Sequence, residues 1–218
     1  MDIMKQNVMD GADEIPSMNV LVVVAHPDRA SLTWAVTEAF SKGAVEAGHK
    51  VDIADLVGEA FEPRELLADH DSFHGRGPVP DDVLQEQARV DRADALVLAF
   101  PLYWWSMPAV LKGWIDRVFI NGWAYAYEDG KLAGTMRDIP VHLLAVGGVD
   151  SEGYAKHGYD VAFTTQIETG IFKYCGMTTI RKHFLLDSLS PDDAIRAGHL
   201  EKAFAIGRAV GAESFENA

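Results

Sequence analysis

The sequence predicts an α/β fold: one five-stranded parallel sheet of order 2-1-3-4-5, doubly wound between two layers of helices. Two observations carry this expectation. Asn19 to Ala25 and Asp94 to Phe100 are short, continuous apolar runs, the mark of strands buried on both faces. Strand-like and helix-like segments also alternate along the chain, as right-handed βαβ units require. Five strands joined by such crossovers favour the order 2-1-3-4-5.

In chain order, the first strand is Asn19 to Ala25, and Ser31 can cap the helix that follows. Leu32, Ala35, Val36, Ala39 and Phe40 recur at helical spacing until Gly43 to Gly48 close that helix. Lys50 to Leu56 reads as the second strand, Asp81 to Arg92 as a helix, and Asp94 to Phe100 as the third strand. Pro108 opens a helix through Ile120, where its missing N–H is harmless. Val141 to Val146 is the fourth strand, Ala162 to Tyr174 a helix ended by Gly176, and Thr178 to Leu186 the fifth strand. Ser190-Pro191 reads as cap and first turn of the last helix. Gly58 to Pro80 fits no element and is expected to be a long loop covering a site.

With 218 residues, 48% of them hydrophobic, the chain can bury one sizeable core, so a single domain is expected over residues 18–218. Met1 to Ser17 lack the basic start and apolar run of a secretory signal, so they read as a disordered extension with Met18 as the functional start. A net charge of -14 opposes nucleic acid and anionic lipid as partners. No apolar run is long enough for a membrane span. Cys175 is the single cysteine, which excludes an intrachain disulfide and suits a reducing, cytoplasmic setting. Burial is the expected fate of its thiol.

In an open sheet of this order, ligands bind beyond the carboxyl ends of the strands, near the switch between the first and third. Three loops reach that rim. The first, His26 to Thr33, brings helix N-terminal N–H groups together with donors on His26, Arg29, Ser31 and Thr33, a setting for a phosphate. Ser31 could equally be a cap and no more. No Gly-x-Gly-x-x-Gly or Walker-type loop is present, so a flavin or another phosphate ester remains. The second, Pro101-Leu102-Tyr103-Trp104-Trp105-Ser106, gathers three aromatics suited to a planar ring, unless the tryptophans complete the core. The third, Gly147 to Gly158, has glycines for close backbone approach and, in Tyr154 and His157, proton donors placed to stabilise negative charge on a reduced flavin.

The stretch Phe100 to Trp105, continuing through Pro108 to Phe119 and Ala124-Tyr125-Ala126-Tyr127, resembles the NAD(P)H:quinone oxidoreductase (DT-diaphorase-like) family, and in particular its short bacterial members. Ala25-His26 with Ser31, Gly147-Gly148 with Tyr154, and His157-Gly158 fall in the family's order, and the resemblance spans roughly Val20 to Asp187. It implies a flavodoxin-like three-layer sandwich. It also implies FAD, with FMN as the alternative, and NAD(P)H as electron donor in a two-electron, ping-pong hydride transfer to a quinone. By resemblance, His26 and Leu32-Thr33 hold the flavin phosphates, while Leu102 to Trp105 and Gly147-Gly148 hold the ring edge. Trp104, Trp105 and Tyr154 line the reaction pocket, with Tyr154 and His157 as its catalytic pair. Tyr125 and Tyr127 reach across a homodimer interface. The chain lacks the larger members' C-terminal region, which leaves the adenine contacts open. Short relatives also include flavin-binding regulators of potassium-efflux systems, a second possible role.

Ala25-His26-Pro27-Asp28 also resembles the start of a zinc deacetylase motif, but Arg29 stands where a second acid belongs and would weaken a metal. His70 and His74, with Asp69 and Asp71, have ligand-like spacing, yet no helix is predicted there and solvated side chains are expected.

Overall fold

A computed structural model describes residues 16–211. Five parallel strands form the sheet: β1 (Asn19–Val24), β2 (Lys50–Asp55), β3 (Ala95–Pro101), β6 (Val141–Val146) and β7 (Ile180–Leu185), in the order β2-β1-β3-β6-β7. Renumbered along the sheet, this is the expected 2-1-3-4-5. Side chains of β1 alternate between two cores. Val20, Val22 and Val24 face α1 (Leu32–Glu46) and α7 (Asp193–Ala209), while Leu21 and Val23 face α3 (Asp81–Arg92) and α4 (Ala109–Val118). Helices on both faces explain why β1 and β3 read as continuous apolar runs, and why β6 is apolar apart from the buried His142.

Gly43 does not end α1, which runs on to Glu46 before Gly48, at φ +90°, turns the chain. Its role is packing: a Cβ there would lie 2.1 Å from the Phe204 carbonyl oxygen, so α1 and α7 meet backbone to backbone. The last helix is capped by Asp192, whose side chain accepts from Ala194 N–H at 2.9 Å, rather than by Ser190.

Other departures are larger. Gly58 to Pro80 contains a helix, α2 (Leu67–Phe73), which carries Asp69 and His70, with His74 as its C-cap. The two imidazoles are exposed and lie edge to face at 4.5 Å. The whole segment is fastened to α4 by Arg117. Its guanidinium donates to Asp69 (3.0 and 3.0 Å), Asp82 (2.6 and 3.2 Å) and the Glu62 carbonyl (2.7 Å).

A two-stranded antiparallel hairpin, β4 (Tyr125–Glu128) and β5 (Lys131–Gly134), was not foreseen; Asp129 and Gly130 turn it with positive φ. The Gly147 to Gly158 loop holds a short helix, α5 (Ser151–Lys156), and α6 (Tyr159–Phe163) starts directly after it. From Thr164 to Lys173 that helix widens into a π-helix, which buries Ile167 and Phe172. Cys175 is buried as expected, and burial pushes its thiol up to about 11.

The expectation for residues 1–17 falls largely outside the described residues; Ser17 Oγ donates to the Gly48 carbonyl at 2.8 Å. Among the described residues no helix is long and apolar enough to cross a membrane.

Candidate functional site

Parallel pairing of β1 with β3 and of β3 with β6 brings the carboxyl ends Val24, Pro101 and Val146 to one rim. The loop after β1 leads into α1. His26 Nδ1 lies 3.0 Å from the Asp28 backbone nitrogen and 3.1 Å from the Asp28 carbonyl oxygen, which holds the ring against its own loop. Ser31 is the N-cap, its Oγ accepting from Trp34 N–H at 3.3 Å. Thr33 is buried and Leu32 half-buried at the helix start, where first-turn N–H groups lack intrahelical acceptors. Arg29 forms an ion pair with the buried Asp55 and lays its guanidinium 3.8 Å from the Trp34 ring centroid. The pair carries no net charge. What this loop offers a phosphate is therefore mainly N–H donors and the helix dipole, with the Arg29 charge already paired to Asp55.

The loop after β3 is tied at its base by the Leu102 N–H, which donates to Val146 O at 2.7 Å. Tyr103 and Ser106 then exchange backbone hydrogen bonds of 3.0 and 3.1 Å across Trp104 and Trp105. Both central residues have positive φ, +50° and +66°. This is a type I′ turn, which favours Asn and Gly because a Cβ is strained there. Two tryptophans in such a turn hold about 1–3 kcal/mol of strain each, the kind of outlier that accompanies ligand sites. Trp104 is 92% exposed and Trp105 38%, which discards the alternative that they complete the core. Tyr103 is exposed as well, whereas Pro101 is buried within β3.

The loop after β6 supplies the floor. Gly147 N–H donates to Leu185 O at 3.0 Å, and the turn after β7 returns through Ser188 N–H to Gly147 O (2.9 Å) and Asp187 N–H to Val149 O (2.8 Å). A Cβ on Gly147 would lie 2.8 Å from Leu186 Cδ2 and 3.0 Å from Leu102 Cδ1, and one on Gly148 2.7 Å from Leu189 Cδ1. The glycines thus keep open a cavity of about 270 Å³ bounded by Leu102, Trp104, Trp105, Gly147, Gly148 and Leu189.

Beside it stands an aromatic wall. Trp105 stacks on Tyr159, with ring centroids 3.9 Å apart and planes 8° from parallel. Tyr154 meets Trp105 edge-on at 6.3 Å, and the exposed His157 ring lies 5.4 Å from Tyr159. Tyr154 belongs to α5, is only 2% exposed, and borders the neighbouring cavity rather than the tryptophan one. Burial first, and the Asp160 charge second, push its phenol up to about 12. It therefore stays a neutral hydrogen-bond donor at ordinary pH.

Tyr125 and Tyr127 lie apart from this group. Tyr125 packs against Tyr174 at 5.4 Å and lines a groove of about 900 Å³ formed with α2 and the end of α4, while Tyr127 is exposed on the hairpin. The segment expected to cover a site borders that groove, not the Trp104 cavity. The sequence reading did not single out Tyr159 of the aromatic wall or Leu189 of the cavity lining. Tyr159 sits next to the singled-out Gly158, an aromatic that could have been noticed; Leu189, in a serine-rich turn and 84% exposed, carries no signal of its own.

A partly apolar slot floored by glycines, walled by strained exposed tryptophans and set on the same rim as the α1 N-terminus fits a tricyclic ring with a phosphorylated tail. Comparisons agree in class. A family described as having a flavodoxin-like fold matches residues 18–206. An uncharacterized NAD(P)H oxidoreductase of Haemophilus influenzae is 30% identical over 189 residues, covering 85% of this chain and 92% of that protein. NAD(P)H dehydrogenase (quinone) 1 of Rattus norvegicus is 28% identical over 194 residues, covering 80% of this chain and 71% of that one. The solved NAD(P)H:quinone oxidoreductase from Methanothermobacter marburgensis superimposes with a TM-score of 0.81 at 33% identity, covering 88% of this chain and 98% of that chain.

Proposed function

The chain belongs to the NAD(P)H:quinone oxidoreductase family of flavodoxin-like proteins, and on that premise we propose that it is a cytoplasmic, flavin-dependent reductase of quinones and similar flat acceptors. The observation that carries this reading is the Trp104-Trp105 turn, strained and exposed above the Gly147-Gly148 floor. A flavin held there would supply two-electron chemistry, accepting hydride from NAD(P)H and reducing a second substrate in turn, in a ping-pong order. FAD is the favoured form, with FMN as the alternative.

The residues divide the work. His26, Ser31 and the N–H groups of Leu32 and Thr33 hold the phosphates, with Arg29 closing that end against Asp55. Leu102 to Trp105 and Gly147-Gly148 clasp the ring edge and exclude water from it. Trp104 and Trp105 offer a flat face to the incoming substrate. Tyr154 keeps its proton and steadies developing negative charge, while His157, exposed to solvent, exchanges the proton that the reaction needs. Tyr125 and Tyr127, remote from the slot within one chain, fit a homodimer in which each protomer's hairpin completes the partner's pocket.

The test is purification followed by an absorbance spectrum, mass identification of the released cofactor, and NAD(P)H consumption with a soluble benzoquinone. A yellow protein that consumes NAD(P)H rapidly only when quinone is present is expected. A colourless protein that neither takes up added FAD or FMN nor turns over would overturn the reading. Tight flavin with sluggish turnover would move the role to the regulatory alternative.

A further inference from the structure

Two acids and one base stand at the phosphate end of the slot. Asp55 ends β2 beside Val24 of β1, and its carboxylate, with 8% of the side chain exposed, pairs with Arg29, two residues ahead of the α1 cap. The turn that follows is shaped around this acid: Gly58 N–H donates to Asp55 Oδ1 at 3.0 Å, and a Cβ on Gly58 would lie 2.1 Å from Oδ2. Among the described residues Arg29 is the one cation paired with Asp55. A nearly buried carboxylate stripped of its counter-ion is strongly destabilising, so Arg29, though 68% exposed, is committed to Asp55 and cannot leave it for a ligand.

The second acid is Asp28, exposed in the same loop, with Oδ1 accepting the Ala30 N–H at 2.8 Å and no ion-pair partner among the described residues. Glu59, whose carboxylate accepts the Asp55 N–H at 3.3 Å, is itself balanced by Arg89. Asp28 and Asp55 set against Arg29 therefore leave this end of the slot with one surplus negative charge. What opposes it is the positive end of the α1 dipole, equivalent to about half a charge, and the first-turn N–H groups.

Flavins differ in how they bring charge to such a place. The mononucleotide ends in a phosphate monoester, whose second pKa near 6 puts almost two charges on one phosphorus at neutral pH. The dinucleotide carries one charge on each of two phosphates, since both are diesters. Neutral donors and a helix dipole can hold a single charge beside Asp28 and Asp55, whereas the second charge of a monoester meets the surplus uncompensated. Resting on the flavin-binding reading above, we propose that Asp28 and Asp55 are specificity-determining residues that make the slot take flavin dinucleotide in preference to the mononucleotide. Asp55 acts by keeping the Arg29 charge neutralised, and Asp28 by its own charge.

The test is the affinity of the full-length, flavin-stripped protein for riboflavin, FMN and FAD near neutral pH, read from flavin fluorescence. Riboflavin has no phosphate, so it reports the grip on the ring and the integrity of the slot. The native protein is expected to bind FAD more tightly than FMN, with the FMN phosphate adding little over riboflavin. Asp55→Asn should strengthen FMN roughly tenfold and FAD roughly threefold while leaving riboflavin unchanged, the scale of about threefold per charge carried by the nearer phosphate. Asp28→Asn, at an exposed position whose amide oxygen can still accept from Ala30, should shift the FMN-to-FAD ratio in the same direction, and it decides the matter if Asp55→Asn fails to fold. Both gains should shrink as salt is raised. Equal gains for FMN and FAD, a gain shared by riboflavin, or ratios that stay fixed in the variants would overturn the proposal and leave the flavin reading standing. Failure of the native protein to bind any of the three would overturn that reading itself.

Discussion

Replacing Trp104 by glycine should make the flavin-free protein more stable while impairing its grip on flavin. Trp104 has φ +50° in a type I′ turn, a conformation that is strained by about 1–3 kcal/mol for a residue with a Cβ and unstrained for glycine. At 92% exposure the indole buries almost nothing, so its removal forfeits little packing. Against the relief stands the wider freedom of glycine in the unfolded chain, about 0.5–1 kcal/mol. The balance is a gain of about 1 kcal/mol, which for a domain of this size raises Tm by roughly 2–4 °C. Trp105→Gly should show no such gain, because it also gives up the stack on Tyr159, worth about 0.5–1.5 kcal/mol. The assay is thermal unfolding of flavin-stripped protein, since bound ligand would add its own stabilisation, paired with flavin content after dialysis. Should Trp104→Gly lower the flavin-free Tm by more than about 2 °C, the indole would be contributing packing and the strain account of the turn would fail.

Arg117→Ala should destabilise the protein by about 3–4 kcal/mol, because it leaves the Asp69 carboxylate, with only 9% of its side chain exposed, without a counter-ion while the half-exposed Asp82 resolvates; urea denaturation checks this, and a loss below about 1 kcal/mol would contradict the clasp. His142 and His183 stack at 5.3 Å across β6 and β7, and burial chiefly holds both imidazoles well below the usual range. The folded pair stays neutral while the unfolded chain takes up protons, so stability is complete above about pH 6.5 and falls as the solution becomes more acidic. His142→Phe should flatten that slope between pH 7.5 and 5 in urea midpoints, and an unchanged slope would place the acid sensitivity elsewhere. His157→Ala should retain flavin yet slow its reduction by NAD(P)H roughly tenfold to a hundredfold in stopped-flow absorbance; native rates would remove His157 from the reaction.

The sheet was legible because β1, β3 and β6 are covered on both faces, so burial wrote itself directly into the residue types. Elements outside that rule were hidden. No residue of α2 is buried, so Leu67 to Phe73 carry no apolar stripe to reveal a helix; what holds the segment is Arg117, distant in sequence. Strands of four residues made the hairpin hard to see even though Asp129-Gly130 is a strong turn signal. Glycines at 147, 148, 153 and 158 disguised α5 as loop, and with it the burial of Tyr154. At the site, the residue types of the three rim loops were readable. The strain at Trp104 and Trp105, the stack on Tyr159 and the neutralisation of Arg29 by Asp55 were not, since each depends on a backbone angle or on a neighbour supplied by another element.

The wide coil from Thr164 to Lys173 fixes a phase. Ile167 and Phe172, five positions apart, both point into the core, whereas on an ordinary α-helix a spacing of five would set them about 140° apart. The extra residue per turn is what lets both serve as anchors while the helix start, with Tyr159, faces Trp105. Trimming a single residue between them would force a choice: keep Phe172 seated and swing Tyr159 by about 100° off the indole, or keep the stack and lose an anchor. The register of the binding wall is thus set by a helix whose greater width lies a full turn away from it.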